Sequence, residues 1–274
     1  DGSWTFDKMA ELCRNVSGDL NGDSILGEKD QYGITFNNFA WQILYYGGGE
    51  TFVAKNDDGS LYFNGNSERI VNFLQKLMPF SQDSEAVLYS ENYRHLGGNY
   101  RIDVCQNAFN EGRSLFWLEA MYGVPTLREM EMDFGILPVP KFDESQENYA
   151  SFVHTAHGSS LIVPITVSDT DMVGRVLEDL TYASADVRAA FIDTTLKGKY
   201  ARDNDSADMI DLIINNIRTD YALLLNTSGL TLDSDLRSAM DKGSTDIGSL
   251  FASKLEPYQT ALDMYNQVMS ELDT

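Results

Sequence analysis

The stretch AFNEGRSLF, residues 108–116, places the end of one helix directly before the start of a strand. A helix is predicted over 100–111, and Gly112 follows it, as glycine commonly does at helix ends. Residues 114–118 then form a short apolar run that predicts a buried strand. A strand that follows a helix this closely is typical of α/β proteins, in which the two kinds of element alternate.

The same alternation extends upstream. Thr5 is a suitable N-cap for a first helix whose apolar residues, from Phe6 to Cys13, share one face. Residues 32–36 predict a strand, and 37–46 form an aromatic-rich segment that ends in three glycines. Asn66 or Ser67 caps a second helix. Downstream, 134–140 and 161–165 each predict a strand, which gives four or five strands in all and is few for two complete α/β domains.

From Asp169 onward the apolar spacing is helical. Pro257 suits the first position of a C-terminal helix. We expect the apolar stripes of the three helices to be buried; they are Met172, Val173, Val176, Leu177 and Leu180; Met209, Ile210, Leu212, Ile213 and Ile217; and Tyr258, Ala261, Leu262, Tyr265, Val268, Met269 and Leu272.

Charge excludes some partners. The 274 residues include 42 acidic and 20 basic side chains, a net charge of −22, which repels phosphate backbones and excludes nucleic-acid binding. No apolar run reaches the ~18 residues of a membrane span. Cys13 and Cys105 are the only cysteines, and two buried free thiols are the preferred interpretation over a disulfide.

Residues 19–30 fit a twelve-residue calcium loop. The predicted ligands alternate, as a hard cation with six to eight oxygen ligands requires: Asp19, Asn21, Asp23, the Ile25 carbonyl and Asp30. Ser24 stands where glycine is usual, and a left-handed backbone there costs about 1–2 kcal/mol. Such a calcium ion would be structural; the alternative is a loop capped by its own Asx side chains.

Catalytic signatures are missing from the sequence. It has no G-x-S-x-G, no P-loop and no G-x-G-x-x-G, so a nucleophile elbow, a phosphate loop and a dinucleotide fingerprint are all excluded. Two aromatic groups, one around Trp41 and Tyr46 and one around Tyr122, offer flat faces for a pyranose ring. Aromatics at such spacing usually build cores, but polar neighbours (Asn37 and Asn38 for Trp41; Glu119 for Tyr122) leave core and sugar site equally open for these two.

Several motifs together resemble extracellular solute-binding protein family 1, the maltose-binding-protein-like sugar-binding components of ABC transporters. The resemblance spans nearly the whole chain and lies in the order of the motifs, which are residues 1–7, 19–33, 45–49, 108–116, 133–141, 158–164 and 196–203.

The resemblance implies an α/β, periplasmic-binding-protein-like type II fold with two hinged lobes. The first helix is similar to one that follows the family's first interlobe crossing, so the N-terminal lobe is expected to be incomplete. Residues 1–155 plus 230–274 would build the C-terminal lobe, and 156–229 the hinge and a partial N-terminal lobe. The chain would be no enzyme and would bind a carbohydrate for an ABC permease, outside the cell, lipid-anchored or periplasmic.

Carried over by position, the family's sugar-stacking aromatic falls on Tyr122, beside Glu119. The family's polar and aromatic ligand contacts before the glycine-rich turn fall near Asn37, Asn38, Trp41 and Tyr46. His157 falls where the strand that crosses between the lobes passes beside the cleft. We expect Trp41 and Tyr122 to share one groove. Two other functions remain open: a calcium-dependent adhesion or scaffold module, and a secreted carbohydrate-active enzyme.

Overall fold

The computed structural model describes residues 2–153, 161–225 and 230–272. Strands and helices alternate through the first half, as predicted. The strands are β1 (Tyr32–Phe36), β2 (Val53–Lys55), β3 (Leu61–Phe63), β4 (Val87–Tyr89), β5 (Ser114–Trp117), β6 (Ser151–Phe152) and β7 (Ile217–Arg218).

Helices make up most of the second half. The α-helices are α1 (Phe6–Arg14), α2 (Ala40–Gly47), α3 (Glu68–Phe80), α4 (Tyr100–Asn110), α5 (Thr170–Ala183), α6 (Ala185–Ala189), α7 (Asn204–Asn215), α8 (Tyr221–Leu224), α9 (Leu232–Asp241) and α10 (Ile247–Leu272). Ser90–Leu96 and Met121–Leu127 are 3₁₀ helices, and Ala190–Tyr200 is a π-helix. No helix in the described ranges has the length and apolar character needed to cross a membrane.

A three-stranded parallel sheet, in the order β4–β1–β5, positions the site. Ile34 of β1 lies opposite Val87 on one side and Phe116 on the other. All five residues of β1 are buried, as expected for a parallel strand covered on both faces. The predicted strands at 32–36 and 114–118 are confirmed, while β4 was not predicted.

Helix α1 packs directly on β1. Thr5 is its N-cap, as predicted, and accepts a hydrogen bond from the backbone N–H of Lys8. Gly33 permits the close approach: a Cβ there would lie 2.1 Å from the Cα of Cys13. Cys13 and Cys105 are both buried free thiols, as predicted, and burial raises the pKa of each to about 12.

One aromatic-rich core joins the first 150 residues to the C-terminal helices. Phe52 stacks on Tyr45 at 4.0 Å between ring centroids and meets Phe251 of α10 edge-on at 6.0 Å. Ala222 and Leu223 of α8 belong to the same core, although they precede the predicted boundary at residue 230. The division into two lobes otherwise stays a prediction.

Two predicted strands are wrong. Residues 134–140 form no strand. Instead, the Trp4 indole donates to the Pro138 carbonyl at 2.9 Å, and the Ile136 N–H donates to the Ser206 hydroxyl at 2.9 Å. Residues 161–165 pair with no strand in the described part of the chain, and Ile162 and Ile165 are 86% and 88% exposed.

Helix positions are predicted better than their burial. Helix α5 forms as expected, yet none of its residues is buried. Helix α10 begins ten residues before Pro257, which lies inside it, because Ile247 and Phe251 pack into the core. Val268 and Met269 are exposed, Leu272 lies where no side chain is described, and Ile217 is an exposed residue of β7.

Gly33→Ala is expected to lower the free energy of unfolding by about 3 kcal/mol, because its Cβ would overlap the backbone of α1. Gly18→Ala is the control: a Cβ there meets nothing within 4 Å, and its effect should stay within about 0.5 kcal/mol. Urea denaturation measures both. Equal effects would contradict the packing of α1 on β1.

Candidate functional site

The carboxyl ends of β1, β4 and β5 meet at one edge of the parallel sheet. Phe36 lies opposite Tyr89, and Thr35 lies opposite Trp117. The residues that follow the strands, including Asn37 and Glu119, therefore emerge at the same edge. In open α/β sheets this edge is where ligands bind.

Tyr122, which is exposed, and Glu119, which is half-buried, lie side by side at this edge. The Glu119 carboxylate accepts a hydrogen bond from the Ala120 N–H at 2.8 Å and is also hydrogen-bonded to the Tyr122 phenol. The Tyr122 side chain is 55% exposed, and its pKa is raised by partial burial and by the negative charge of Glu119. An aromatic face beside a carboxylate can stack on a sugar ring and accept from its hydroxyl groups.

The Trp117 ring packs beside the 3₁₀ helix that carries Tyr122. Gly123 keeps the 3₁₀ helix close, since a Cβ there would lie 2.8 Å from Cγ of Glu119 and 3.4 Å from the Trp117 ring. The Trp117 ring packs against Phe109 at 5.9 Å between centroids, and Phe109 contacts Phe134. The Trp117 indole N–H is buried without a hydrogen-bond partner among the described residues.

Asn37 and Asn38 lie at the same edge but have structural partners. The Asn37 side-chain oxygen accepts from the Phe39 N–H at 2.9 Å, which forms the turn into α2. Asn38 is buried, and its side-chain oxygen accepts from Arg237 at 3.2 Å. Arg237 in turn covers the Phe39 ring at 3.6 Å. Asn37 is half-buried.

Trp41 and Tyr46 are corrected to core residues. Both are buried in the main core, where Trp41 packs on Tyr45, Tyr46 and Phe52 at 6.1–6.4 Å between centroids. Their faces are covered by protein, so no sugar ring can stack on them, and Trp41 shares no groove with the exposed Tyr122. The adjacent glycines likewise pack on side chains: a Cβ at Gly47 would lie 2.2 Å from Val139.

The Tyr46 hydroxyl has a structural partner as well. It donates to the buried Asp220 carboxylate at 3.1 Å, which also accepts from the N–H groups of Phe52, Val53 and Ala222. Burial raises the pKa of Asp220, and these four donors partly offset the rise. The Asp220 carboxylate therefore links α2, β2 and α8 and has a structural role.

Glu91, next to the end of β4, is a residue that sequence reasoning missed. Its carboxylate is buried and accepts from Arg101 at 2.5 Å, from Arg94 at 2.8 Å and from the Tyr100 hydroxyl at 2.9 Å. Burial acts to raise its pKa, but these donors outweigh burial and the pKa is lowered. The two arginines near it in sequence were the available signal.

Arg202 fixes the segment that follows Tyr122. Its guanidinium donates to the carbonyls of Met130 at 2.7 Å, Met132 at 2.6 Å and Leu127 at 3.2 Å. It also lies 4.6 Å from the centroid of the Phe134 ring. One side chain between the π-helix and α7 thereby holds the end of the 3₁₀ helix that carries Tyr122.

The predicted calcium loop has its oxygens engaged with backbone amides. Asp19 accepts from the N–H groups of Gly22 and Ser24 at 2.6 and 2.7 Å, and these bonds lower its pKa. Asp30 is buried and accepts from Leu20 and Gly27. Ser24 has the left-handed backbone that the loop pattern implies, with φ of 65°.

In the described ranges no three acidic, histidine or cysteine side chains are arranged to hold a metal ion. The Asx-capped alternative accounts for these hydrogen bonds, and the calcium site with its ligands Asp19, Asn21, Asp23, Ile25 and Asp30 stays a prediction. His157 lies outside the described residues.

Two comparisons with known proteins found no match: neither a family model nor a curated protein matches the chain. Solved structures do match. The maltose/maltodextrin-binding domain MalE from Bdellovibrio bacteriovorus, bound to maltotriose, is 14% identical with a TM-score of 0.57, covering 96% of this chain and 67% of that one.

The ABC substrate-binding protein Lmo0181 from Listeria monocytogenes, in complex with cycloalternan, is 11% identical with a TM-score of 0.55. It covers 98% of this chain and 64% of that one, so the chain spans about two thirds of the length of the structures it matches. The fold is therefore α/β and periplasmic-binding-protein-like, with one lobe incomplete, as predicted.

Arg202→Ala is expected to speed amide hydrogen exchange in residues 127–134 by about tenfold, because three carbonyls lose a charged donor, a loss of at least ~1.4 kcal/mol. Lys199→Ala is the control, since Lys199 is exposed and makes no ion pair in the described structure. Exchange measured by mass spectrometry distinguishes them. Unchanged exchange in Arg202→Ala would contradict a stabilising role for the Arg202 hydrogen bonds to these carbonyls.

Calcium is expected to raise the melting temperature of EDTA-treated protein in a saturable way, because a ligand that binds only the folded state stabilises it, by about 2.7 kcal/mol at 100 times Kd. Asp23→Ala should abolish the shift, whereas Asp57→Ala, in an exposed turn, should keep it. If calcium does not change the melting temperature of the unsubstituted chain, the calcium site is wrong and the loop is stabilised by its own Asx side chains.

Proposed function

We propose that this chain belongs to a solute-binding protein that captures a carbohydrate for uptake by an ABC transporter. The observation that carries the proposal is the structural match over 96% and 98% of the chain to two binding proteins whose ligands, maltotriose and cycloalternan, are both oligosaccharides. A membrane permease is then the partner, and the protein acts outside the cytoplasmic membrane, lipid-anchored or in the periplasm.

The ligand in this proposal binds at the carboxyl edge of the β4–β1–β5 sheet. Tyr122 supplies an exposed aromatic face, and the Glu119 carboxylate next to it accepts from sugar hydroxyl groups. Asn37 extends the polar surface along the edge. Because a phenol both stacks and hydrogen-bonds, Tyr122 suits an oligosaccharide, which has apolar C–H faces ringed by hydroxyl groups.

The carboxylates described at this edge do not form the acid and base pair of a glycoside hydrolase, which is consistent with binding without catalysis. Glycoside hydrolysis needs a general acid with a raised pKa and a second carboxylate across the bond. Glu91 has a lowered pKa and is bonded to Arg94 and Arg101, so it can serve neither as that acid nor as a mobile base. Glu119 alone does not make the pair, and we therefore propose that the protein is not an enzyme.

The chain supplies one wall of the binding cleft in this proposal. Binding proteins of two lobes bury their ligand from both sides on closure, and about one third of each matched structure lies outside the part that this chain covers. We therefore expect the 274 residues to bind an oligosaccharide weakly, with most of the surface of the ligand in solvent.

The test is NMR titration of the chain with maltotriose and with a panel of other oligosaccharides. We expect saturable shifts at the carboxyl edge, and Tyr122→Ala should weaken binding about tenfold, or ~1.4 kcal/mol, because it removes the stacking face. Tyr182→Ala is the matched control, an exposed tyrosine on α5 that should leave affinity unchanged.

Glu119→Gln should weaken binding less, since an amide oxygen still accepts a hydrogen bond. Chromatography of the titrated oligosaccharides should show no new products. Equal affinity of Tyr122→Ala and the unsubstituted chain would contradict the site, and shortened oligosaccharides would contradict the function.

A further inference from the structure

The sequence contains two Asn–Gly pairs, Asn21–Gly22 in the loop before β1 and Asn64–Gly65 after β3. An asparagine that precedes glycine loses its side-chain amide readily, because glycine has no Cβ to obstruct its backbone nitrogen and its backbone rotates freely. The structure places the two pairs in different surroundings and therefore distinguishes which of them can react.

The reaction needs water as its co-reactant. The backbone nitrogen of the glycine attacks Cγ of the asparagine, so that a new N–C bond forms and the Cγ–Nδ2 bond breaks. Nδ2 leaves as ammonia with the proton that the glycine nitrogen gives up, and a cyclic succinimide remains. Water then opens the ring. Opening at Cγ gives aspartate, and opening at the main-chain carbonyl gives isoaspartate, in which the main chain runs through Cβ and Cγ.

Asn21–Gly22 has the space that ring closure requires. Both residues are exposed, and the Gly22 backbone is left-handed, with φ of 80°. A Cβ at Gly22 would meet nothing within 4 Å. The Asn21 side chain contacts Asp23, two residues away: its oxygen accepts from the Asp23 N–H at 2.8 Å, and its nitrogen donates to the carboxylate at 3.1 Å. Water therefore reaches both reacting groups.

Asn64–Gly65 is held by the core. Gly65 is buried, and a Cβ there would lie 2.3 Å from the Phe63 ring and 2.9 Å from the Phe52 ring. The Asn64 N–H donates to the Phe52 carbonyl at 2.7 Å, and the Asn64 side-chain nitrogen donates to the Thr51 carbonyl at 3.3 Å. These contacts fix the dihedral angles that ring closure must change, so this pair reacts only after local unfolding.

Asp19 acts on the reacting nitrogen of the exposed pair. Its carboxylate accepts from the Gly22 N–H at 2.6 Å and from the Ser24 N–H at 2.7 Å. The charge-assisted bond holds the proton on the Gly22 nitrogen, and the carboxylate repels the negative charge of the tetrahedral intermediate. We propose that Asn21 is a site of spontaneous deamidation and that Asp19 is the residue that slows it.

Either product changes the loop before β1. Aspartate at position 21 adds a negative charge between Asp19 and Asp23 and removes the Nδ2 donor. Isoaspartate adds one carbon to the main chain and disrupts the Asx turn that Asn21 forms with Asp23. The loop joins the amino end of β1, whereas the proposed oligosaccharide site lies at the carboxyl edge, so the modification leaves that site in place.

Ageing of the purified 274-residue chain in neutral buffer at physiological temperature tests the proposal. Peptide mapping by mass spectrometry measures amide loss at each asparagine, and an isoaspartyl-specific methyltransferase labels the isoaspartate product. We expect Asn21 to react at least ~10-fold faster than Asn64, because only the latter waits for local unfolding. Asn21→Gln should remove the isoaspartyl label from the loop, since the longer side chain closes its ring far more slowly.

Substitution tests the role of Asp19. Asp19→Ala should speed amide loss at Asn21 by about 5-fold, because the Gly22 N–H loses its charged acceptor. Asp57→Ala is the matched control: it makes the same change in an exposed turn and should leave the rate at Asn21 unchanged. The rate at Asn64 is the internal reference, since a general loss of folding would speed both sites and loss of the Asp19 bond speeds only Asn21.

Two results would overturn the proposal. Equal rates at Asn21 and Asn64 in the unsubstituted chain would show that the exposed loop is not a deamidation site. Equal rates at Asn21 in Asp19→Ala and Asp57→Ala would show that the Asp19 carboxylate does not protect the amide. Oligosaccharide binding can fail without altering either measurement.

Discussion

Parallel pairing of β1 with both of its neighbours is the constraint on which the candidate site depends. Because β4 and β5 run in the same direction as β1, two crossover connections must carry the chain back between these strands, and the three carboxyl ends meet at one edge. That edge receives residues from positions 37, 90 and 119, which are far apart in sequence. Helix α1 covers β1 closely because Gly33 has no side chain.

Two buried carboxylates, Asp220 and Glu91, are accommodated by opposite means. Asp220 is surrounded by neutral donors, and its pKa is raised because burial outweighs four hydrogen bonds. Glu91 is bonded to two guanidinium groups, and its pKa is lowered. The first stabilises the junction of α2, β2 and α8, and the second fixes the region after β4. Both make structural contacts, whereas Tyr122 at the sheet edge is exposed and Glu119 beside it is half-buried.

Burial is divided unevenly along the chain. The main core draws on residues 6–142 and 222–262, whereas α5 contributes nothing to it. The segment around α7 makes polar contacts with the rest, such as Arg202 with the carbonyls of Leu127, Met130 and Met132 and Ser206 with Ile136, and it buries Ile210. The apolar stripe of α5 is thus patterned for burial but lies outside the core.

The sequence by itself determined the local elements: the cap at Thr5, the strands at 32–36 and 114–118, and the amphipathic helix after Asp169. These depend on residues within one or two turns of each other, and so they can be recognised in a single segment. The same reasoning placed Glu119 and Tyr122 beside each other. Their location at a sheet edge required the register of three strands.

Only the tertiary structure decided which apolar residues are buried. Trp41 and Tyr46 have the composition of a sugar site but lie in the core, because Phe52 and the C-terminal helices pack on them. The apolar stripe of α5 is exposed for the converse reason, since no element of the described chain covers it. Burial depends on contacts between distant segments, and local spacing carries no information about which segments meet.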